Sequence, residues 1–171
     1  KEMGTSIKLL AISKDMGDKY FAMVAPFMIM QDHPLYSVND VFNGIFVKGN
    51  MLGDTMYYGR GAGKLPTASA VVSDVIDCAR HLGRNILCFW DSERVSLTSI
   101  SLISRKFFVR IKGTVEEVLP KVEDVFGKVT VVSCKELPDE FGFITEEITE
   151  RAFNEKAEAI SGIRSRIRIE D

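Results

Sequence analysis

A chain of 171 residues with 46% hydrophobic and 27% charged residues has the composition of a globular protein, long enough for one ordinary domain or two small ones. Its net charge of −2 and its lack of a basic block exclude composition-driven disorder and leave no footprint for nucleic acid or an anionic membrane. The longest apolar run, Tyr20–Met30, falls far short of the roughly 20 residues that a membrane-spanning helix needs.

The chain opens at Lys1 without an initiator methionine or a signal peptide, and a strand-like run, Ile7–Ser13, follows almost at once. That start fits a piece of a longer protein. Further strands are expected at Tyr20–Met30, Gly44–Lys48 and Asp54–Tyr58, the last two joined by the glycine- and asparagine-containing loop Gly49–Gly53, which suits a hairpin. His33, beside Pro34, reads as a turn residue. A helix is predicted over Pro66–Leu82, because Val71, Val72, Val75, Ile76 and Ala79 recur at helical spacing while Asp74, Asp77 and Arg80 point elsewhere. Gly83 is its expected C-cap, with His81 and Arg84 placed at the negative end of the helix dipole.

All seven methionines lie at or before Met56, which suggests two units of different ancestry, 1–90 and 91–171, with a soft joint near Phe89–Ser104. In the second unit Phe107, Val109 and Ile111 alternate with Phe108, Arg110 and Lys112, the period of a half-buried strand. Thr114 and Glu117 match a capping box before the apolar stripe of Val115, Val118, Leu119, Val122, Val125 and Phe126. Pro120 removes one hydrogen bond from that helix. Strands at Lys128–Cys134 and Phe141–Glu147, a helix at Thr149–Ile160 and a final strand over Ile163–Ile169 complete the order βαββαβ, the split βαβ arrangement of ferredoxin-like folds. The expected class is α+β: a mixed sheet with helices, followed by the ferredoxin-like unit.

Three cysteines, Cys78, Cys88 and Cys134, are widely spaced without a CxxC pair. They point to reduced thiols in a cytoplasmic protein and away from a zinc site; no metal site is expected. The acid pairs Glu116-Glu117 and Glu146-Glu147 read as solvated ends of elements. The segment most able to carry chemistry is Gly59–Thr67 (GRGAGKLPT), which leads from a strand into a helix. Bare glycine backbone admits a ligand closely, and a helix N-terminus offers free N–H groups and partial positive charge. It is not a Walker loop, since only three residues separate Gly59 from Gly63 and Leu65 follows Lys64, nor does it have the GxGxxG spacing. By motif alone, a tight structural turn and a ligand loop are equally good readings.

The run Gly59–Val75 (GRGAGKLPTASAVVSDV) resembles the homoserine dehydrogenase stretch that reads roughly GxGAGxxPTAxAVxxD, and Ile7–Ser13, His33–Leu35, Val38–Gly49 and Tyr57–Gly59 agree with the same family. The resemblance implies an NAD- or NADP-dependent oxidoreductase that interconverts L-homoserine and L-aspartate 4-semialdehyde in threonine and methionine biosynthesis. It implies a cofactor contact at Gly63, with Gly61 and Thr67 at neighbouring positions. It also places the catalytic lysine, the substrate-holding acids and the Rossmann domain upstream of Ile7, so no catalytic residue is assigned here. Arg60 stands where many members have proline. Residues 91–171 resemble the ACT regulatory domain of that family, through their element order and FFVRIKG (Phe107–Gly113). ACT domains bind amino acids where the first strand meets the first helix, here Gly113, Thr114 and Val115, with threonine the implied effector. The usual Asp-x-Pro-Gly is absent at that point, so a purely structural, dimer-forming role is an open rival. Strands Phe107–Ile111 and Ile163–Ile169 are the expected pairing edges of a homodimer.

Overall fold

The computed structural model describes residues 3–170. In chain order, β1 (Thr5–Asp15) and β2 (Tyr20–Met30) form one hairpin; β3 (Phe42–Gly49) and β4 (Gly53–Arg60) form a second that runs into α1 (Lys64–Arg80). After a 3-10 turn at Ile100–Leu102 come β5 (Ser104–Arg105), β6 (Phe107–Lys112), α2 (Val115–Phe126), β7 (Val129–Ser133), β8 (Glu140–Thr145), β9 (Ile148–Thr149), α3 (Glu150–Glu158) and β10 (Ile163–Glu170). These elements fall into two compact units. One comprises Lys1–Gln31 with Val95–Asp171, and the other Asp32–Arg94.

The first unit is built on a six-stranded sheet in the order β1-β2-β10-β6-β8-β7. Its last four strands, with α2 after β6 and α3 after β8, are the βαββαβ arrangement expected from the sequence. β6 is central because Phe107, Val109 and Ile111 all point to one face and are buried, while Phe108, Arg110 and Lys112 alternate away from it. Phe141 and Phe143 of β8, Val122 of α2 and Phe153 of α3 close the core over that face. Phe153 stacks on Phe107 with ring centroids 4.3 Å apart and tilts against Phe126 at 5.4 Å. The buried Thr145 hydroxyl accepts the Phe107 N–H at 3.0 Å, so that polar group is satisfied inside the core.

Two expectations change here, the pairing edges and the capping box of α2. The compact units cut the chain differently from the ancestral division at 90/91: β2 pairs in parallel with β10 (Phe27 with Arg168, Met28 with Ile169, Ile29 with Glu170) and brings the N-terminal hairpin into the same sheet as the βαββαβ strands. β6 and β10 are not free edges of this sheet. Each is hydrogen-bonded on both sides, and the sheet's free edges are β1 and β7. Thr114 is the N-cap of α2, but its side chain makes no capping hydrogen bond, so the Thr114–Glu117 box does not form. Pro120 sits inside α2 after a start at Val115, and the helix runs on past the one N–H it lacks.

Charged groups fix the junction between hairpin and sheet. Arg105 pairs with Glu170 and lies over the rings of Phe21 and Phe27, 5.5 and 4.9 Å from their centroids. On β10, Arg168 makes two hydrogen bonds to Glu150, which is only 8% exposed. At the other end of the sheet Glu140 accepts from Arg110 at 2.6 Å. That hydrogen bond, with the charges of Arg110, Arg164 and Lys112, holds the Glu140 carboxyl below its ordinary value against the opposing effect of burial. A carboxyl whose folded value is depressed stabilises the fold above its unfolded value and loses that contribution as pH falls through the folded one. Denaturation midpoints between pH 6 and roughly pH 3 should therefore fall more steeply for the parent chain than for Glu140→Gln. Parallel curves would show that the pair contributes nothing.

In the second unit β3 and β4 pair antiparallel in continuous register from Phe42–Arg60 to Gly49–Gly53. Phe42 stacks on Tyr58 at 4.8 Å, and Arg60 lies over Phe42 at 5.4 Å. The turn at 32–40 packs on this hairpin through Gly44, where a methyl group would meet Leu35, Val38 and Met56 at 2.9–3.2 Å. His33 is a turn residue as expected, its Nδ1 accepting from the Leu35 N–H at 3.1 Å. α1 begins two residues before the expected start and ends at a His81 C-cap rather than at Gly83. His81 turns back through Nδ1 to the Asp77 carbonyl at 2.9 Å. No residue of α1 is buried, and its apolar stripe of Val71, Val72, Val75 and Ile76 is exposed.

Candidate functional site

The glycine-rich segment lies where β4 ends and α1 begins, within the second unit. β4 delivers Gly59 and Arg60 in register with Asn43 and Phe42, and the chain leaves the strand at Gly61. Gly63 is the N-cap of α1 with φ 120°, a left-handed value that L side chains rarely adopt. Its carbonyl accepts the Thr67 N–H at 3.1 Å, which closes the first helical turn. Pro66 occupies the third helical position, where a missing N–H costs no helix hydrogen bond.

Gly61, Gly63 and Thr67 are thus brought together in one strand-to-helix turn. Gly61 is bare for a reason visible in the packing: a methyl group there would fall on the Asn43 carboxamide, with Cγ at 2.8 Å. Gly59 has open space on its Cβ side. The α1 N-terminus has no side-chain cap and no acidic residue in its first turn, and Lys64 adds a positive charge beside it. A helix start of that kind favours an anionic group, because its free N–H groups and dipole are opposed by nothing local. The junction therefore fits an anionic group approaching the glycine backbone.

The other expected site, Gly113–Thr114–Val115, lies at the β6–α2 junction. Gly113 has φ 121°, its N–H donates to the Asp139 carbonyl at 2.7 Å, and a Cβ there would overlap Val118 Cγ2. These constraints explain the glycine by packing alone. A separate concavity of about 560 Å³ opens near β6, β7 and β8, lined by Phe108, Arg110, Val132, Leu137 and Glu140 among others. No sequence motif marks it, since its lining comes from three strands and a loop. The pairs Glu116-Glu117 and Glu146-Glu147 are exposed, as expected.

Residues 1–76 match the family model of homoserine dehydrogenase. Among curated proteins, the homoserine dehydrogenase of Helicobacter pylori is 41% identical over 111 residues, which are 65% of this chain and 26% of that protein. The homoserine dehydrogenase of Synechocystis is 56% identical over 79 residues, 44% of this chain and 18% of that protein. The solved homoserine dehydrogenase of Thiobacillus denitrificans superposes with a TM-score of 0.78 at 28% identity, covering 99% of this chain and 43% of that one. The enzyme of S. aureus, at 24% identity and TM-score 0.73, shares the fold. The chain thus spans about a quarter or less of these curated relatives. The family match ends at residue 76, whereas the structural likeness runs on through the βαββαβ elements.

Proposed function

We propose that the chain, whose residues 1–76 match the homoserine dehydrogenase family model, forms part of an enzyme of that family interconverting L-homoserine and L-aspartate 4-semialdehyde with NAD or NADP. The observation that carries this reading is the Gly59–Thr67 junction, where family sequence and a bare strand-to-helix backbone coincide. The nicotinamide, when bound, supplies or takes the hydride. This chain's part is to receive the dinucleotide: Gly61 and Gly63 keep side chains out of its path, and the first turn of α1, with Thr67 behind it, faces its negative charge. Threonine and methionine biosynthesis and a cytoplasmic setting follow from the same reading.

The test is Gly63→Val in the intact enzyme. Valine opposes the left-handed φ and fills space that the dinucleotide needs, so the dissociation constant for NADPH or NADH should rise about ten-fold or more, the effect of losing roughly 1.4 kcal/mol. Wild-type affinity in a variant with an unchanged melting temperature would refute the assignment. The 171-residue chain by itself should produce no NAD(P)H from homoserine, because it contains no GxGxxG fingerprint and its assigned residues bind without reacting. Turnover above a blank would overturn that.

The βαββαβ elements are read as an ACT-type regulatory unit, and the ancestral boundary at 90/91 is retained as part of that reading. Gly113–Val115 is then the amino acid effector position, with threonine as the implied ligand. A homodimer is expected, formed through the free edges β1 and β7 or through the exposed apolar positions Ile7, Leu9 and Val24 on the hairpin. Sedimentation of a monomer at micromolar concentration would contradict it.

A further inference from the structure

Asn43 lies on β3, directly opposite Gly59 and diagonal to Gly61. Cross-strand and diagonal neighbours normally fill one another's space on a sheet face. Here both neighbours are glycines, so the Asn43 side chain reaches across open backbone and lies against Gly61. The residue is exposed, and among the described residues its carboxamide has no hydrogen-bond partner. An amide both donates and accepts, and this one is held at the mouth of the glycine turn, beside the open side of Gly59.

We propose that Asn43 is a further ligand-contacting residue of the dinucleotide site, hydrogen-bonding a neutral polar group of the cofactor as it lies along Gly59–Gly63. This rests on the reading of that turn as the cofactor site. The charged part of the ligand is served by the α1 terminus and Lys64, and an uncharged group beside it requires a partner that donates and accepts without adding charge. A carboxamide meets that requirement. The bare Gly61 is the complement of Asn43: the side chain needs the space that a Cβ at 61 would take.

The test compares Asn43→Leu and Asn43→Ala with the parent in the intact enzyme, using NADPH and NADH as probes. Dissociation constants are read from the fluorescence of the bound dinucleotide, and melting temperature serves as the check on folding. Leucine keeps roughly the volume that lies on Gly61 but neither donates nor accepts; alanine removes both. Each variant should bind about three- to ten-fold more weakly, the effect of one neutral hydrogen bond, at an unchanged melting temperature. If Asn43→Leu melts early, Asn43→Ala, an exposed truncation, carries the comparison. Wild-type affinity in Asn43→Leu alongside weakened binding in Gly63→Val reduces Asn43 to a spacer and overturns the proposal, while the cofactor site stands. Wild-type affinity in Asn43→Leu and Gly63→Val alike removes the cofactor site and the proposal together.

Discussion

Phe153→Ala should destabilise the unit formed by residues 1–31 and 95–171 by about 3–5 kcal/mol, the range for removing a fully buried aromatic side chain. Phe153 is wholly buried. Its ring is shared by Phe107 of β6 and Phe126 of α2, and the Arg166 guanidinium lies 4.9 Å from its centroid. Truncation therefore loosens α2, α3 and β6 at once, and the cavity has walls from three elements that cannot all close inward. Guanidinium denaturation followed by circular dichroism measures the change. Tryptophan fluorescence would not, because Trp90 is 90% exposed and belongs to the other unit. A loss below about 1 kcal/mol would mean that the site collapses freely and that the three-way stack is not the centre of this core.

Glu150→Leu should cost about 3 kcal/mol, at the low end of the range for leaving a buried charge without its partner. Glu150 receives two hydrogen bonds from Arg168, and Arg166 stands 3.7 Å away. Its own N–H donates to the Ile103 carbonyl at 3.2 Å, and leucine would preserve that bond. What leucine abandons is Arg168, whose side chain is only 22% exposed and cannot turn fully to water. The double variant Glu150→Leu/Arg168→Leu should recover most of the loss, since replacing both ions by apolar groups is often neutral or better. If the double variant is as unstable as the sum of the single ones, the pair is uncoupled and the premise fails.

How far this fold could be read from the chain depends on the distance over which each element is decided. The alternation of Phe107–Lys112 and of Ile163–Ile169 is local, and both strands form where it predicts. The whole of β2 is likewise readable, its limits at Tyr20 and Met30 as expected. Its parallel pairing with β10 is not, because three residue pairs joined across most of the chain leave no periodic trace in either strand. The exposed stripe on α1 shows the reverse case: helical spacing identified the face without saying what covers it. At the candidate site the glycines announced themselves by spacing and by family likeness. Asn43 did not, since a lone asparagine in a strand carries no signal until the β3–β4 register sets it opposite two glycines. The Thr114–Glu117 box had the right letters, and the Thr114 side chain still makes no capping bond.

The bond between β2 and β10 also orders events during synthesis. β1 and β2 are made before the other strands of this unit and can form their hairpin at once, since their register runs unbroken from Thr5–Met30 to Asp15–Tyr20. On its other side β2 is bonded at Tyr20 by Ser96 and Thr98, and its remaining partner is β10, the last strand in chain order among the described residues. Until β10 is made, then, an apolar strand waits with most of one edge unpaired, a state in which nascent chains are prone to associate wrongly. The residues that end the wait, Arg168, Ile169 and Glu170, also bring the charges that clasp Glu150 and Arg105. A stalled or shortened product lacking those few residues would retain nearly all of its core-forming side chains and still leave its first hairpin without a place in the sheet.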